Sequence, residues 1–135
     1  MSPLGPAFRV LDAVLGAHTL ILSRFILDEV QRVLLYTRIQ SRYRIAADEI
    51  VRFTGNLAEI AHLVEPVIVK PLVEFDPDDD SVLYTAAEGK ADILCTRNIR
   101  HFRSPGVERF CDEHGIRVMT DLDVLRELFS EPGQR

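Results

Sequence analysis

Three short apolar runs, HTLIL (18–22), DILCT (92–96) and GIRVMT (115–120), are each separated by stretches with helical periodicity. Runs this short and this apolar suit strands buried on both faces. Strands alternating with helices predict a parallel sheet with right-handed crossovers, and therefore an α/β protein. At 135 residues the chain has the length of one domain, read here as spanning 1–135. A hydrophobic fraction of 47% with 27% charged residues excludes a disordered chain. No apolar run approaches the roughly 20 residues that cross a bilayer, so no membrane partner is expected. The start, MSPLGPAFR, lacks the basic and apolar regions of a secretory signal. Only Cys95 and Cys111 are present, so disulfides do not frame the fold and a cytoplasmic location is expected.

Between the strands, Phe8, Leu11, Val14 and Leu15 predict a helix over 7–15 that Gly16 can end. Ser23 reads as the N-cap of a helix with Phe25, Ile26, Val30, Val33 and Leu34 on one stripe. The basic stretch 38–44 reads as a connection, and 46–63 as a further amphipathic helix weakened by Gly55. In 64–73, Pro66 and Pro71 bracket Val67, Ile68 and Val69, which fits a short strand or an extended connector. A helix is expected over 81–88 with Gly89 at its end, and another over 121–129 capped by Thr120 or Asp121. The tail 130–135 is expected to be disordered.

The net charge of −5 (16 Lys and Arg against 21 Asp and Glu) has one source. Glu74, Asp76, Asp78, Asp79 and Asp80 account for the whole deficit, and no Lys or Arg lies between Pro71 and Gly89. Carboxylates so close repel, and must be solvated, spread apart or neutralised by a cation. Sites in parallel α/β sheets collect at the carboxyl ends of the strands. Glu29, the Asp78–Asp80 run and Thr96-Arg97-Asn98 all lie near such ends. Oxygen ligands from separate elements suit Mg²⁺ or Mn²⁺ and metal-assisted hydrolysis of a phosphodiester. The plainer alternatives are that the Asp run caps a helix and that Glu29 is solvated. The RNIRHFR stretch (97–103) offers Arg97, Arg100, His101 and Arg103 to a phosphate backbone, with Phe102 for stacking. Its plainer alternative puts Phe102 in the core and the arginines on the surface. Arg38, Arg42 and Arg44 form a second basic group open to the same two readings. Cys95 reads as core, and His18, His62 and His114 have no partner at metal-ligand spacing. No Gly-rich phosphate loop, nucleophile elbow or zinc motif is present. A receiver-like signalling domain also uses acids at strand ends, but here no lysine follows a late strand.

Taken in order, LILSRFILDEVQRVL (20–34), DPDDDSVLYTAAEGKADILCTRN (76–98) and GIRVMTDLDVLREL (115–128) resemble the PIN-domain family, in particular its prokaryotic toxin components. The resemblance implies a three-layer α/β fold, a central parallel sheet flanked by helices. It also implies a metal-dependent endoribonuclease that cleaves single-stranded RNA, often the toxin partnered by an antitoxin protein, and commonly a homodimer or higher oligomer. Glu29 matches the family's helix glutamate. Asp80 matches its third acid, with Asp79 as substitute or neighbour. This implies metal ligation by Glu29, Asp79 and Asp80, and a catalytic set of Glu29, Asp80 and Asn98. Asn98 departs from the usual Asp, and the position of a later acid is His101.

The family's first strand, ending in an LDTN-like motif whose Asp is the first metal ligand, has no match here. Asp12, the one early acid, lies in the helical FRVLDAV segment. Two expectations follow. Either Met1 is an internal methionine of a longer frame, or the domain is shortened and its open edge is filled by another chain. In both cases a central strand is absent from these 135 residues, and weak or no hydrolysis is expected from them. The alternative function is a non-catalytic module that binds an antitoxin or a like chain.

Overall fold

The computed structural model describes residues 6–73 and 76–129. Glu74 of the acidic group and the expected disordered tail lie outside the described residues. The chain runs α1 (Pro6–Ala17), β1 (Ile21–Leu22), α2 (Arg24–Leu34), α3 (Thr37–Tyr43), α4 (Ala47–Ile60) and β2 (His62–Leu63). It continues through α5 (Pro77–Glu88), β3 (Ile93–Cys95), a 3-10 turn (Ile99–Phe102), α6 (Pro105–His114), β4 (Arg117–Met119) and α7 (Asp121–Leu128).

The strands pair in parallel, as alternation of strand and helix requires, but in two separate pairs. Ile21 faces His62 and Leu22 faces Leu63 in one. Ile93, Leu94 and Cys95 face Arg117, Val118 and Met119 in the other. The single central sheet expected from the pattern is thus divided among the described residues, because no strand joins β1 to β3.

Helix ends follow local chemistry. Buried Ser23 accepts the Ile26 amide at 3.3 Å and starts α2. Asp76 accepts the Asp78 amide at 2.9 Å, and Pro77 occupies the first turn, so α5 begins four residues before the expected Ser81. Its three further acids then sit where the helix dipole favours them. Thr120 accepts the Asp123 amide, and the Asp123 carboxylate reaches back to the Thr120 amide, which fixes α7.

Three other expectations are corrected. The 38–44 connection is helix α3, since Arg and Gln are good helix formers even where nothing is buried. Arg44 ends it in the left-handed region (φ 54°). The helix over 46–63 stops at Ile60. There Ala61 turns extended, and the His62 and Val64 amides donate to the Leu20 and Leu22 carbonyls. The segment read only for its basic residues contains α6, started by the Ser104 hydroxyl and ended by Gly115 at φ 68°. Of the alternatives for 64–73, the extended connector is found, with Val67 and Ile68 exposed.

Two apolar clusters cover β3. Leu94 packs with Leu83 and Ala86 of α5, Phe102, and Val107 and Cys111 of α6. Its neighbour Ile93 packs instead with Val10 of α1 and Val124 and Leu125 of α7. Successive strand residues point to opposite faces, so α5 and α6 lie on one face of β3 and α1 and α7 on the other. Around β1, α2 packs on α4 through Leu27, Ile50 and Leu57, with Gln31 donating to Thr54 at 3.1 Å. Gly89 lets β1 approach the end of α5: a Cβ there would lie 2.4 Å from the Ile21 Cγ2.

Candidate functional site

The start of α5 and the segment after β3 meet at one end of the strands. Asp79 Oδ2 lies 2.9 Å from His101 Nδ1, with both side chains mostly buried (19% and 25% exposed). The 3-10 turn places His101 there, anchored by Phe102, which is 3% exposed. Phe102 is therefore core, and the stacking role is not available to it. Asn98 opens the turn: its amide donates to Thr96 Oγ1 at 3.0 Å, and its carbonyl accepts the His101 amide at 2.9 Å. Arg100 and Arg103 are exposed on the same turn.

Asp80 points elsewhere. It is 5% exposed, and its Oδ1 accepts the amides of Leu72 at 2.9 Å and Val73 at 2.7 Å. One carboxylate oxygen thus holds the end of the extended connector against α5. A charge-assisted acceptor satisfies two backbone donors that the connector cannot pair internally.

Glu29, on α2, forms a fork with Arg32, Oε2 to Nη2 at 2.6 Å and Oε1 to Nε at 3.1 Å. The Arg32 hydrogen bonds hold the Glu29 carboxyl below its ordinary range. Arg32 also donates to the Tyr36 hydroxyl and lies over that ring.

Glu29, Asp79 and Asp80 are therefore engaged with three different partners. Among the described residues no three His, Cys, Asp or Glu side chains stand close enough to hold a metal ion. As arranged, the expected acidic set does not fit Mg²⁺ or Mn²⁺.

One contributor had been read only as a helix cap. Asp121, directly after β4, is buried, and its Oδ2 accepts Arg97 Nε at 3.1 Å. The pair ties the ends of β3 and β4 together and occupies Arg97, which had been assigned to phosphate. The signal available in the sequence was an acid immediately following a strand and its Thr. Cys95, expected in the core, is exposed. Burial of the sulfur's surroundings and the nearby Asp121 charge push its thiol pKa up.

Between the two strand pairs lies a cavity of about 710 Å³, bordered by β1, β3, α5, α1 and α7, with Asp79 and Thr96 among its lining. A family model for the PIN domain matches residues 2–100, a span that holds Glu29, Asp79, Asp80 and Asn98. The chain belongs to the PIN-domain family. PIN domains are generally nucleases that use divalent metal ions. Neither the comparison with curated proteins nor that with solved structures gives a match. In this PIN domain no helix is long and apolar enough to cross a membrane among the described residues.

Proposed function

We propose that this PIN domain is of the endoribonuclease type, acting in the cytoplasm on single-stranded RNA as the toxin of a toxin–antitoxin pair. The observation that carries this reading is the grouping of Asp79, His101, Thr96 and Asn98 at the carboxyl end of β3, beside the exposed Arg100 and Arg103. Arg100 and Arg103 contact phosphates, while Arg97 positions the segment through Asp121. Asp79 and His101 are the pair through which a proton can be held next to the RNA. Mg²⁺ or Mn²⁺ is the cofactor this reading assigns. To take it, Glu29 and Asp79 would have to leave their present partners, so these 135 residues alone hydrolyse RNA weakly or not at all.

A cleavage assay with a mixed-sequence single-stranded RNA and Mn²⁺ tests this. The expected result is little cleavage above blank, unchanged in Glu29→Gln and Asp79→Asn. Robust cleavage abolished by Glu29→Gln would show that the acids assemble after all. In the same samples, Arg100→Glu with Arg103→Glu should weaken RNA binding across all sequences and lower its salt dependence.

A second reading, a non-catalytic module that binds another chain, is favoured by the divided sheet and the cavity within it.

A further inference from the structure

The division of the sheet leaves two strand edges without a strand partner among the described residues, and both border the same cavity. On β1, the Leu20 and Leu22 carbonyls accept the amides of His62 and Val64. Successive peptide groups of a strand alternate between its two edges, so the backbone groups of Ile21 point away from β2. On β3, the Asp92 carbonyl accepts the Arg117 amide, and the Thr96 amide donates to Met119. The backbone groups of Ile93 and Cys95 therefore point away from β4. Each strand has one satisfied edge and one open edge.

The cavity has the section of a strand. Its two sides are β1 and β3. Its two faces are apolar: Val82 and Ala86 of α5 line one, and Val14 of α1 and Val124 of α7 line the other. Those helices lie on opposite faces of β3, as the alternate packing of Leu94 and Ile93 requires. The volume of about 710 Å³ admits a strand of ordinary length, about five residues.

We propose that this slot is a docking site for an extended, uncharged segment of another polypeptide, which enters as a strand between β1 and β3 and completes the sheet. The chemistry of the walls selects the occupant. A helix satisfies its own backbone groups, and a lipid tail has none. Either would leave Ile21, Ile93 and Cys95 unpaired, whereas a strand offers donors and acceptors along both edges. Burial on both faces selects a continuous run of Val, Ile or Leu rather than an alternating one. The inference deepens the binding-module reading and rests on it, but it does not depend on hydrolysis.

The test uses the full chain and a synthetic peptide, a short run of Val and Ile closed by lysine at each end. A peptide with the run replaced by Ser and Gly is the control. Cys95 lies on the open edge and is exposed, whereas Cys111 is buried. Alkylation of Cys95 by a bulky maleimide, read by mass spectrometry, therefore reports occupancy. The apolar peptide should slow it by about tenfold at about nine-tenths occupancy, and should protect the Ile21, Ile93 and Cys95 amides from hydrogen exchange. The control should do neither. No change with saturating apolar peptide, or equal protection by the control, would overturn the proposal. Protection that grows with protein concentration and no peptide would assign the slot to a second copy of this chain, and would overturn the separate partner while keeping the binding-module reading. Protection confined to Val67–Val69 would place docking on the connector and overturn the slot.

Discussion

The two strand pairs are built from similar sequences and end in different environments. β3 and β4 sit between helices on both faces, with Leu94 4% exposed and Leu83 and Val107 fully buried beneath. β2 is exposed at both residues, and Leu63 is 40% exposed although it belongs to an apolar run. A short strand in this domain is thus stabilised by the helices that cover it more than by its own composition. Where coverage ends, the pairing rests on a few backbone hydrogen bonds.

The comparison breaks most sharply under truncation of side chains. Leu83→Ala should cost about 3 to 4 kcal/mol in urea unfolding, and Leu63→Ala about 0.5 kcal/mol. Equal losses would mean that the two halves are covered alike. A smaller effect is expected at the acid that joins the connector to α5. Asp80→Ala should cost about 2 to 3 kcal/mol in buffer containing a metal chelator, since two amides lose a charge-assisted acceptor. A residue kept only to bind a cation would instead be neutral or stabilising to replace under those conditions, because its removal relieves repulsion from Asp78 and Asp79.

The smallest effect is pH-dependent and confined to the covered half. Hydrogen bonds from Thr120 hold the Asp123 carboxyl below its ordinary range. A depressed carboxyl binds fewer protons folded than unfolded near its ordinary pKa, so the folded state gains as pH rises. The contribution of this cap is full above the unfolded value and is lost as pH falls through the lower folded value. Asp123→Asn should flatten that part of an acid unfolding profile, while Asp28→Asn on α2 should leave it unchanged.

Much of the covered half was readable in the chain. DILCT and GIRVMT are strands, Ser23 and Thr120 are caps, and Gly89 ends its helix. Those features depend on neighbours within a few residues. The uncovered half was harder. β2 is two residues at the end of a helical pattern, and only its bonds to Leu20 and Leu22 define it. Helix α6 carries a recognisable Ser104-Pro105 start and Gly115 end, but the basic residues before it drew the reading elsewhere.

At the candidate site, spacing brought attention to Asp79, Asp80, Asn98 and His101. It did not separate Asp79, which faces His101, from Asp80, which faces backbone amides. Adjacent residues on a helix point about 100° apart, and the partner that claims each is eight to twenty-two residues away. Arg97 with Asp121 is likewise a contact across 24 residues that no local pattern announces.

The attachment of Asp80 to Leu72 and Val73 has a consequence for descent. A lineage of this domain that gave up hydrolysis would still lose its fold on losing this acid, so purifying selection would retain it on architectural grounds. The carboxylate at this position therefore outlives the chemistry it is usually taken to signal. Glu29, tied only to a neighbouring arginine on its own helix, is free to drift once activity is gone. The informative position for telling active from silent members is therefore Glu29 rather than Asp80.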